Sequence, residues 1–190
     1  IMRLIVQNKL LPISELPHKF YYCGPVVRYE RPKLGRYRQF NQFGVESVGH
    51  ASPYADVEVI SLAYTILQSL GLQNVTIKIN TLGDEASRDA YRSALKDFFK
   101  DKVENMCEDC RMRYQINPLR ILDCKVPSDQ EIVKDAPKMS AYISEASQKR
   151  FSQVLESLEA LGIPYEVDDT LVRGLDYYSE TVFEFHYISN

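Results

Sequence analysis

The sequence predicts an α+β fold, an antiparallel sheet flanked by helices with a mostly helical insertion, and three observations carry it. Two strand-like runs stand on either side of the Pro32-Lys33-Leu34-Gly35 turn, which is the pattern of a hairpin. Val75, Ile77 and Ile79 alternate with Thr76, Lys78 and Asn80, as in a half-buried strand. Strand signals return only after a long helical stretch, at residues 165–172 and 181–187, so the order is not the alternating βαβ kind that builds parallel sheets. Hairpin, central strand and final pair are expected to share one sheet.

In chain order, residues 1–11 read as the end of a helix stopped by Pro12, and Pro17 leads into a first strand over 20–30. After the hairpin, Ser52-Pro53 supplies an N-cap and a proline at the first helical position, with Asp56 and Glu58 early in the helix. Val59, Leu62, Ala63, Ile66 and Leu70 recur at helical spacing until Gly71. Gly83-Asp84 opens a further helix with an apolar face of Ala90, Tyr91, Ala94, Leu95, Phe98 and Phe99. From about 100 to 148 the pattern loosens into short helical pieces, cysteines and charged turns, read as an inserted lobe. Phe151, Val154, Leu155, Leu158 and Leu161 restore a helix that Gly162 ends.

The bulk numbers exclude several classes. With 26% charged and 45% apolar residues over 190 positions, the composition is that of a soluble globular protein with a real core. No apolar run approaches membrane-spanning length, and a cytoplasmic location without membrane partners is expected. A formal net charge of -3 argues against binding nucleic acid through bulk positive charge. Ile1-Met2-Arg3 opens inside a helical pattern without a cap, so a piece of a longer protein is expected. Four cysteines make no dense disulfide framework, which agrees with a reducing compartment.

The stretch from Arg28 to Glu46 places polar groups where a strand would bury apolar ones. Read at period two, Arg38, Phe40, Gln42, Gly44 and Glu46 share one face, while Phe43 and Val45 fit a core face. The first face offers a cation, a flat ring, an amide, a position without a side chain and a carboxylate. Arg28 falls on the same side if the hairpin is regular. Such a set suits a planar anionic ligand stacked on Phe40, its phosphates drawn to Arg28 and Arg36. The bland alternative is a surface ion pair between Arg28 and Glu30. Near the other end, Arg173 caps a turn with Asp176, or Arg173, Tyr177 and Tyr178 serve a ligand; core packing of the tyrosines is the competing reading. Cys107-x-x-Cys110 with Cys124 beyond tempts a zinc reading, but it needs a fourth ligand and no histidine lies near in sequence, which leaves an Asp or a distant contribution. Buried thiols and no metal are expected.

The words Arg28-Tyr-Glu-Arg-Pro and Gly35-Arg-Tyr-Arg-Gln-Phe-Asn-Gln-Phe-Gly-Val-Glu46 resemble motif 2 of class II aminoacyl-tRNA synthetases, and of the histidyl-tRNA synthetase family in particular. Leu171-Val-Arg-Gly-Leu-Asp-Tyr-Tyr178 with Thr181-Val-Phe-Glu-Phe185 is similar to the histidine-recognition segment of that family. The resemblance covers nearly the whole chain. It implies a class II synthetase-like sheet and a ligase that joins histidine to tRNA(His) through histidyl-adenylate, with ATP, L-histidine and tRNA(His) as partners. By resemblance Arg28 binds the α-phosphate, Glu30 reads the adenine amino group, Arg36 reaches the terminal phosphate and Phe40 stacks on adenine. Gln42, Glu46, Arg173, Tyr177 and Tyr178 would face histidine, with Arg173 also at the α-phosphate. Mg2+ would travel with ATP.

The same resemblance divides the chain into a catalytic core at 1–83, an inserted lobe with flanking helices at 84–163 and a second core part at 164–190. Motif 1, a Thr-x-Glu loop, motif 3 and an anticodon-binding domain are missing from it. The expectation is a catalytic-domain piece with little activity alone, from a protein that forms a homodimer. A synthetase-like regulatory subunit of ATP phosphoribosyltransferase is the alternative; a histidine sensor has no chemical need of Arg28, Glu30, Arg36 and Phe40 together.

Overall fold

Alternation in the first forty-eight residues produces a long antiparallel ladder. In the computed structural model, which describes residues 1–12, 14, 16–173 and 177–187, β1 (His18–Val27) pairs with β2 (Gln39–Val48) over ten residue pairs. The register sets Tyr22 opposite Gly44 and Gly24 opposite Gln42. Beyond the ladder, Lys33 and Arg36 exchange backbone bonds of 2.8 and 3.3 Å around Leu34-Gly35. Gly35 turns there at φ 75°, where a side chain would be strained. Ahead of the ladder lies α1 (Met2–Asn8), which ends where Lys9 enters the left-handed region at φ 49°.

The chain folds as two compact units, residues 1–59 and 60–190. α2 (Pro53–Ser69) begins in the first and ends in the second. Its start follows the expected cap, since Tyr54 N–H donates to Ser52 Oγ at 3.2 Å. The stripe differs from the expected one: Val57 and Ile60 are the buried positions, while Leu62 and Leu70 remain exposed.

The second unit is built on β3 (Val75–Thr81), flanked by β4 (Tyr165–Val167) and β5 (Thr181–Tyr187). β5 runs antiparallel to β3 over seven pairs, but β4 runs parallel to it over three. The described strands therefore form two sheets, one of them mixed, rather than one antiparallel sheet. The cause lies in the connection: β3 leads into a long helical excursion before the chain returns, and a crossover of that kind delivers a parallel neighbour. The strand expected over 165–172 stops at Val167. Beyond it Asp168 folds back, its carboxylate accepting from Thr170 N–H at 3.0 Å and from Lys78 Nζ at 3.1 Å.

Val75, Ile77 and Ile79 fill the interior side of β3, and Asn80 and Thr81 are buried too. Their polar atoms are used locally, with Asn80 Nδ2 donating to the Leu171 carbonyl at 3.1 Å and Gly83 N–H donating to Thr81 Oγ1 at 3.1 Å. α3 (Glu85–Phe99) follows, capped by Asp84, whose carboxylate accepts from Ser87 N–H at 2.8 Å. Its buried stripe is Ser87, Tyr91, Leu95 and Phe99, one residue per turn. The expected Ala90 lies outside that stripe, exposed.

The main core forms where this stripe meets the short pieces that follow. Tyr91, Leu95 and Phe99 pack with Met106, Cys110, Leu119, Ile121, Leu122, Cys124, Val133 and Met139. These come from α4 (Glu108–Ile116), a 3-10 turn at Pro118–Ile121, α5 (Pro127–Val133), a 3-10 turn at Met139–Ala141, and, for Met106, Leu122 and Cys124, the connections beside them. α6 (Glu145–Ala160) then runs back, burying Ser147, Val154 and Leu158. Gly162, at φ 65°, ends it, with Ile163 N–H returning to the Leu158 carbonyl at 3.0 Å. No helix among the described residues is long and apolar enough to cross a membrane.

Candidate active site

The hairpin positions the first group of predicted residues. The face of β1 and β2 that is half-buried carries Phe20, Tyr22 and Val26 with Phe40, Gln42, Gly44 and Glu46. The opposite face, expected to hold the core through Phe43 and Val45, is the open one at Phe43, which is 50% exposed. Strand alternation located the two faces, but the one rich in polar groups is the one that is covered. On that face the Tyr22 ring lies over Gly44 and the Arg28 guanidinium over Phe40.

Arg28 extends from the end of β1 over this face. Its guanidinium carbon lies 5.1 Å from the centre of the Phe40 ring, and Nη2 donates to Gln42 Oε1 at 2.7 Å. Gln42 Nε2 in turn donates to the Tyr22 hydroxyl at 2.7 Å. The alternative surface pair of Arg28 with Glu30 is not the arrangement adopted. Glu30 faces Arg36 instead, at 3.5 Å. Arg28, Glu30, Arg36 and Phe40, with Gly35 and Tyr37, line one open depression of about 260 Å3. All four side chains that sequence reasoning assigned to ATP thus border the same space.

Gly44 does not leave that face empty. A Cβ there would stand 2.2 to 2.4 Å from Tyr22 ring atoms, so the phenol ring of Tyr22 occupies the position the missing side chain vacates. Tyr22 is the residue that sequence reasoning missed. Its signal was available: once the hairpin is registered, a large ring falls directly opposite a glycine. Glu46 sits further along β2, half-buried and opposite Phe20.

The second group lies in the other unit. Arg173 Nη1 donates to Glu184 Oε1 of β5 at 2.5 Å, and its guanidinium carbon is 5.9 Å from the Tyr178 ring centre. Arg173 and Tyr178 border a small cavity of about 20 Å3 together with Arg88, Arg92 and Asn117. Arg88 holds the segment from the other side, donating to the Tyr178 carbonyl at 2.7 Å. Tyr178 packs against the buried cluster of Leu82, Leu171 and Val182. Tyr177 stacks on Tyr178 with ring centres 5.2 Å apart, yet stays 75% exposed. Core packing therefore describes Tyr178 in part and Tyr177 hardly at all. Asp176, the turn partner weighed for Arg173, lies outside the described residues.

At the start of α3 a compact polar network joins three segments. Asp84 accepts from Ser87 N–H and from Ser144 Oγ at 2.7 Å, Asp84 N–H donates to Ser147 Oγ at 3.1 Å, and Ser147 Oγ donates to Glu180 Oε1 at 2.9 Å. The Ser144 hydroxyl first, and then the Ser87 N–H, hold the Asp84 carboxyl down at a pKa of about 2. Gly83 permits the tight entry: at φ 63°, a Cβ on it would stand 2.7 Å from Ser87 Cβ.

Comparison with known proteins bears on both groups. A family model described as histidyl-tRNA synthetase matches residues 3–188. A histidine–tRNA ligase of Bacillus subtilis is 50% identical over 183 residues, covering 96% of this chain and 43% of the relative. One from a Geobacillus species is 49% identical over 184 residues, covering 97% and 44%. Among solved structures, apo histidyl-tRNA synthetase of S. aureus superposes with a TM-score of 0.75 at 39% identity, covering 96% of this chain and 42% of that one. The chain thus spans about 43% of the length of the curated relatives it matches.

Proposed function

The chain belongs to the histidyl-tRNA synthetase family, and from that premise we propose that the whole protein activates histidine with ATP and transfers it to tRNA(His). The observation that carries the reading is the shared depression lined by Arg28, Glu30, Arg36 and Phe40. Two guanidiniums, one carboxylate and one flat ring match the parts of a nucleotide triphosphate. In the first step a histidine carboxylate oxygen attacks the α-phosphorus of ATP, the bond to the bridging oxygen breaks, and pyrophosphate leaves. In the second, the terminal ribose hydroxyl of tRNA attacks the carbonyl carbon and AMP leaves.

Negative charge gathers around the α-phosphorus in the first step, so positioned cations are the main requirement. Arg28 supplies one, held over Phe40 and tied to Gln42 before any ligand arrives. Arg36 takes the terminal phosphate and Glu30 the adenine amino group; these two face each other at 3.5 Å and would separate as the nucleotide enters. Phe40 stacks on the base. Glu46 and Gln42 read histidine from β2, and Arg173, Tyr177 and Tyr178 read its carboxylate and ring. Arg173 must then exchange Glu184 for substrate. The lining suits phosphate rather than a protein-held divalent ion, since its single carboxylate already faces a guanidinium; magnesium would ride on phosphate oxygens. Residues 84–163 form a lobe inserted into this catalytic core, and the whole protein works as a cytoplasmic homodimer.

Histidine-dependent ATP–pyrophosphate exchange by the whole protein tests the reading. Exchange should require histidine and fall on the order of 100-fold in Arg28→Ala. ATP and histidine binding without exchange would overturn it in favour of a histidine sensor.

A further inference from the structure

The sequence supplied three cysteines and no fourth ligand; the fold supplies one. Cys107 is the residue before α4, Cys110 lies in its first turn, Cys124 follows the 3-10 turn at Pro118–Ile121, and Asp129 lies in the first turn of α5. The three sulfur atoms and a carboxylate oxygen of Asp129 all lie within 4.8 Å of one another. We propose that Cys107, Cys110, Cys124 and Asp129 form a structural zinc site in the segment between α3 and α6.

The spacing fits a tetrahedral ion. With Zn–S bonds of about 2.3 Å, two sulfur ligands of one tetrahedron stand about 3.8 Å apart, and a sulfur and an oxygen about 3.5 Å. Cys107 Sγ and Cys124 Sγ are 3.9 Å apart, and Cys124 Sγ is 3.3 Å from Asp129 Oδ2. A disulfide needs sulfur atoms about 2.05 Å apart, so the pair is set for a shared ligand, not for a bond. Three thiols and a carboxylate also select the ion: hard magnesium and calcium take oxygen ligands, whereas zinc takes thiolates with an occasional carboxylate. Four protein ligands leave no open position, which makes the site structural.

Burial gives a second, independent reason. Asp129 is 1% exposed, grouped with Cys110 and Cys124 of the main core, and no lysine or arginine among the described residues pairs with it. Its partners are the Cys107 N–H at 3.1 and 3.3 Å, the Cys124 thiol at 3.3 Å and the Ser128 hydroxyl at 3.5 Å. None of these donors carries a charge, so a divalent cation would be the first charged partner of this buried carboxylate. Backbone donors already support the ligands: besides the Cys107 N–H, Val126 N–H points to Cys124 Sγ at 3.5 Å.

The site would join pieces of nine, four and seven residues, each too short to hold a helix by itself. Zinc entry displaces the three thiol protons to solvent and takes none from the ionised Asp129, so binding releases up to three protons.

Metal analysis of the chain, purified under reducing conditions without chelator, tests the proposal. About one zinc per chain is expected, and about none in Cys110→Ser. Because that variant can fail to fold, a second measurement uses the unaltered chain: after zinc removal, cobalt(II) should bind once and produce thiolate charge-transfer and intense tetrahedral absorption, with Asp129→Asn altering the ligand field while three thiolates remain. Calorimetry of zinc binding in two buffers should report close to three protons released. A reduced, folded chain that holds no zinc and gives no cobalt–thiolate absorption overturns the site.

Discussion

Tyr22 and Gly44 depend on one another through a single missing atom. A methyl at position 44 would stand 2.2 Å from the far end of the Tyr22 ring, so Gly44→Ala forces the ring aside and breaks its hydroxyl from Gln42. The cost should be about 1 kcal/mol, the low end of the range for overpacking, because the group that must move is the far end of a half-buried side chain. Because the ring is the group displaced, the cost should shrink when Tyr22 is already Ala. A double-mutant cycle by urea denaturation measures this, and additive losses would show that the two positions do not communicate. The pairing was readable in the sequence only after the hairpin had been registered; period-two reading treated Gly44 as empty space because it considered β2 without its partner. The same limit kept the sequence from saying which Asp could join the cysteines, and Asp129 is the one the fold brings there. It lies five residues beyond Cys124 and looks like an ordinary acid in a polar stretch until the core closes around it.

Among the elements, helices were the most legible. The Ser52 cap, the Asp84 cap and the Gly162 stop depend on local chemistry, and each appears where the residues put it. Strand partners were less so, because pairing direction depends on the whole excursion between two strands rather than on either strand's own residues. The Asp84 cap gives this scale its prediction. Its carboxyl is held at about 2, below the ordinary value near ~4. A depressed carboxyl contributes stability that is fully present above the unfolded value and is lost as pH falls through the folded one. Stability should therefore decline between pH ~4 and ~2, and Asp84→Asn should be less stable at neutral pH with a flatter profile across that window. Thermal unfolding at stepped pH checks it; parallel profiles for the two proteins would remove Asp84 from the acid response.

At the scale of the whole molecule, the candidate residues sort by unit. Arg28, Glu30, Arg36 and Phe40 border one depression in the unit of residues 1–59, and Arg173 and Tyr178 border a cavity in that of 60–190. Residue roles inferred from the hairpin predict separable defects in the whole protein. Arg28→Ala should mainly slow adenylate formation, on the order of 100-fold, while Glu46→Ala should mainly raise the KM for histidine. Pre-steady-state measurement of adenylate formation against histidine concentration separates the two, and identical changes in both variants would undo the division. That the candidate residues fall in two separate segments was legible because each segment carries distinct residue types. Which side chains hold Arg28 before a ligand arrives was not, since that depends on Gln42 reaching across the ladder.

That reach has a direction. A guanidinium can only donate, so Gln42 must present its oxygen to Arg28 and its NH2 to Tyr22. The amide therefore cannot flip without setting donor against donor at Arg28. Because the Tyr22 oxygen is accepting, its own hydrogen is left to be given onward. The hairpin face thus carries a one-way chain of donation from a cation to a phenol, and an acceptor approaching Tyr22 meets a hydrogen whose orientation was decided two groups away, at Arg28. Gln42→Glu would keep the first link and reverse the second, drawing that hydrogen inward.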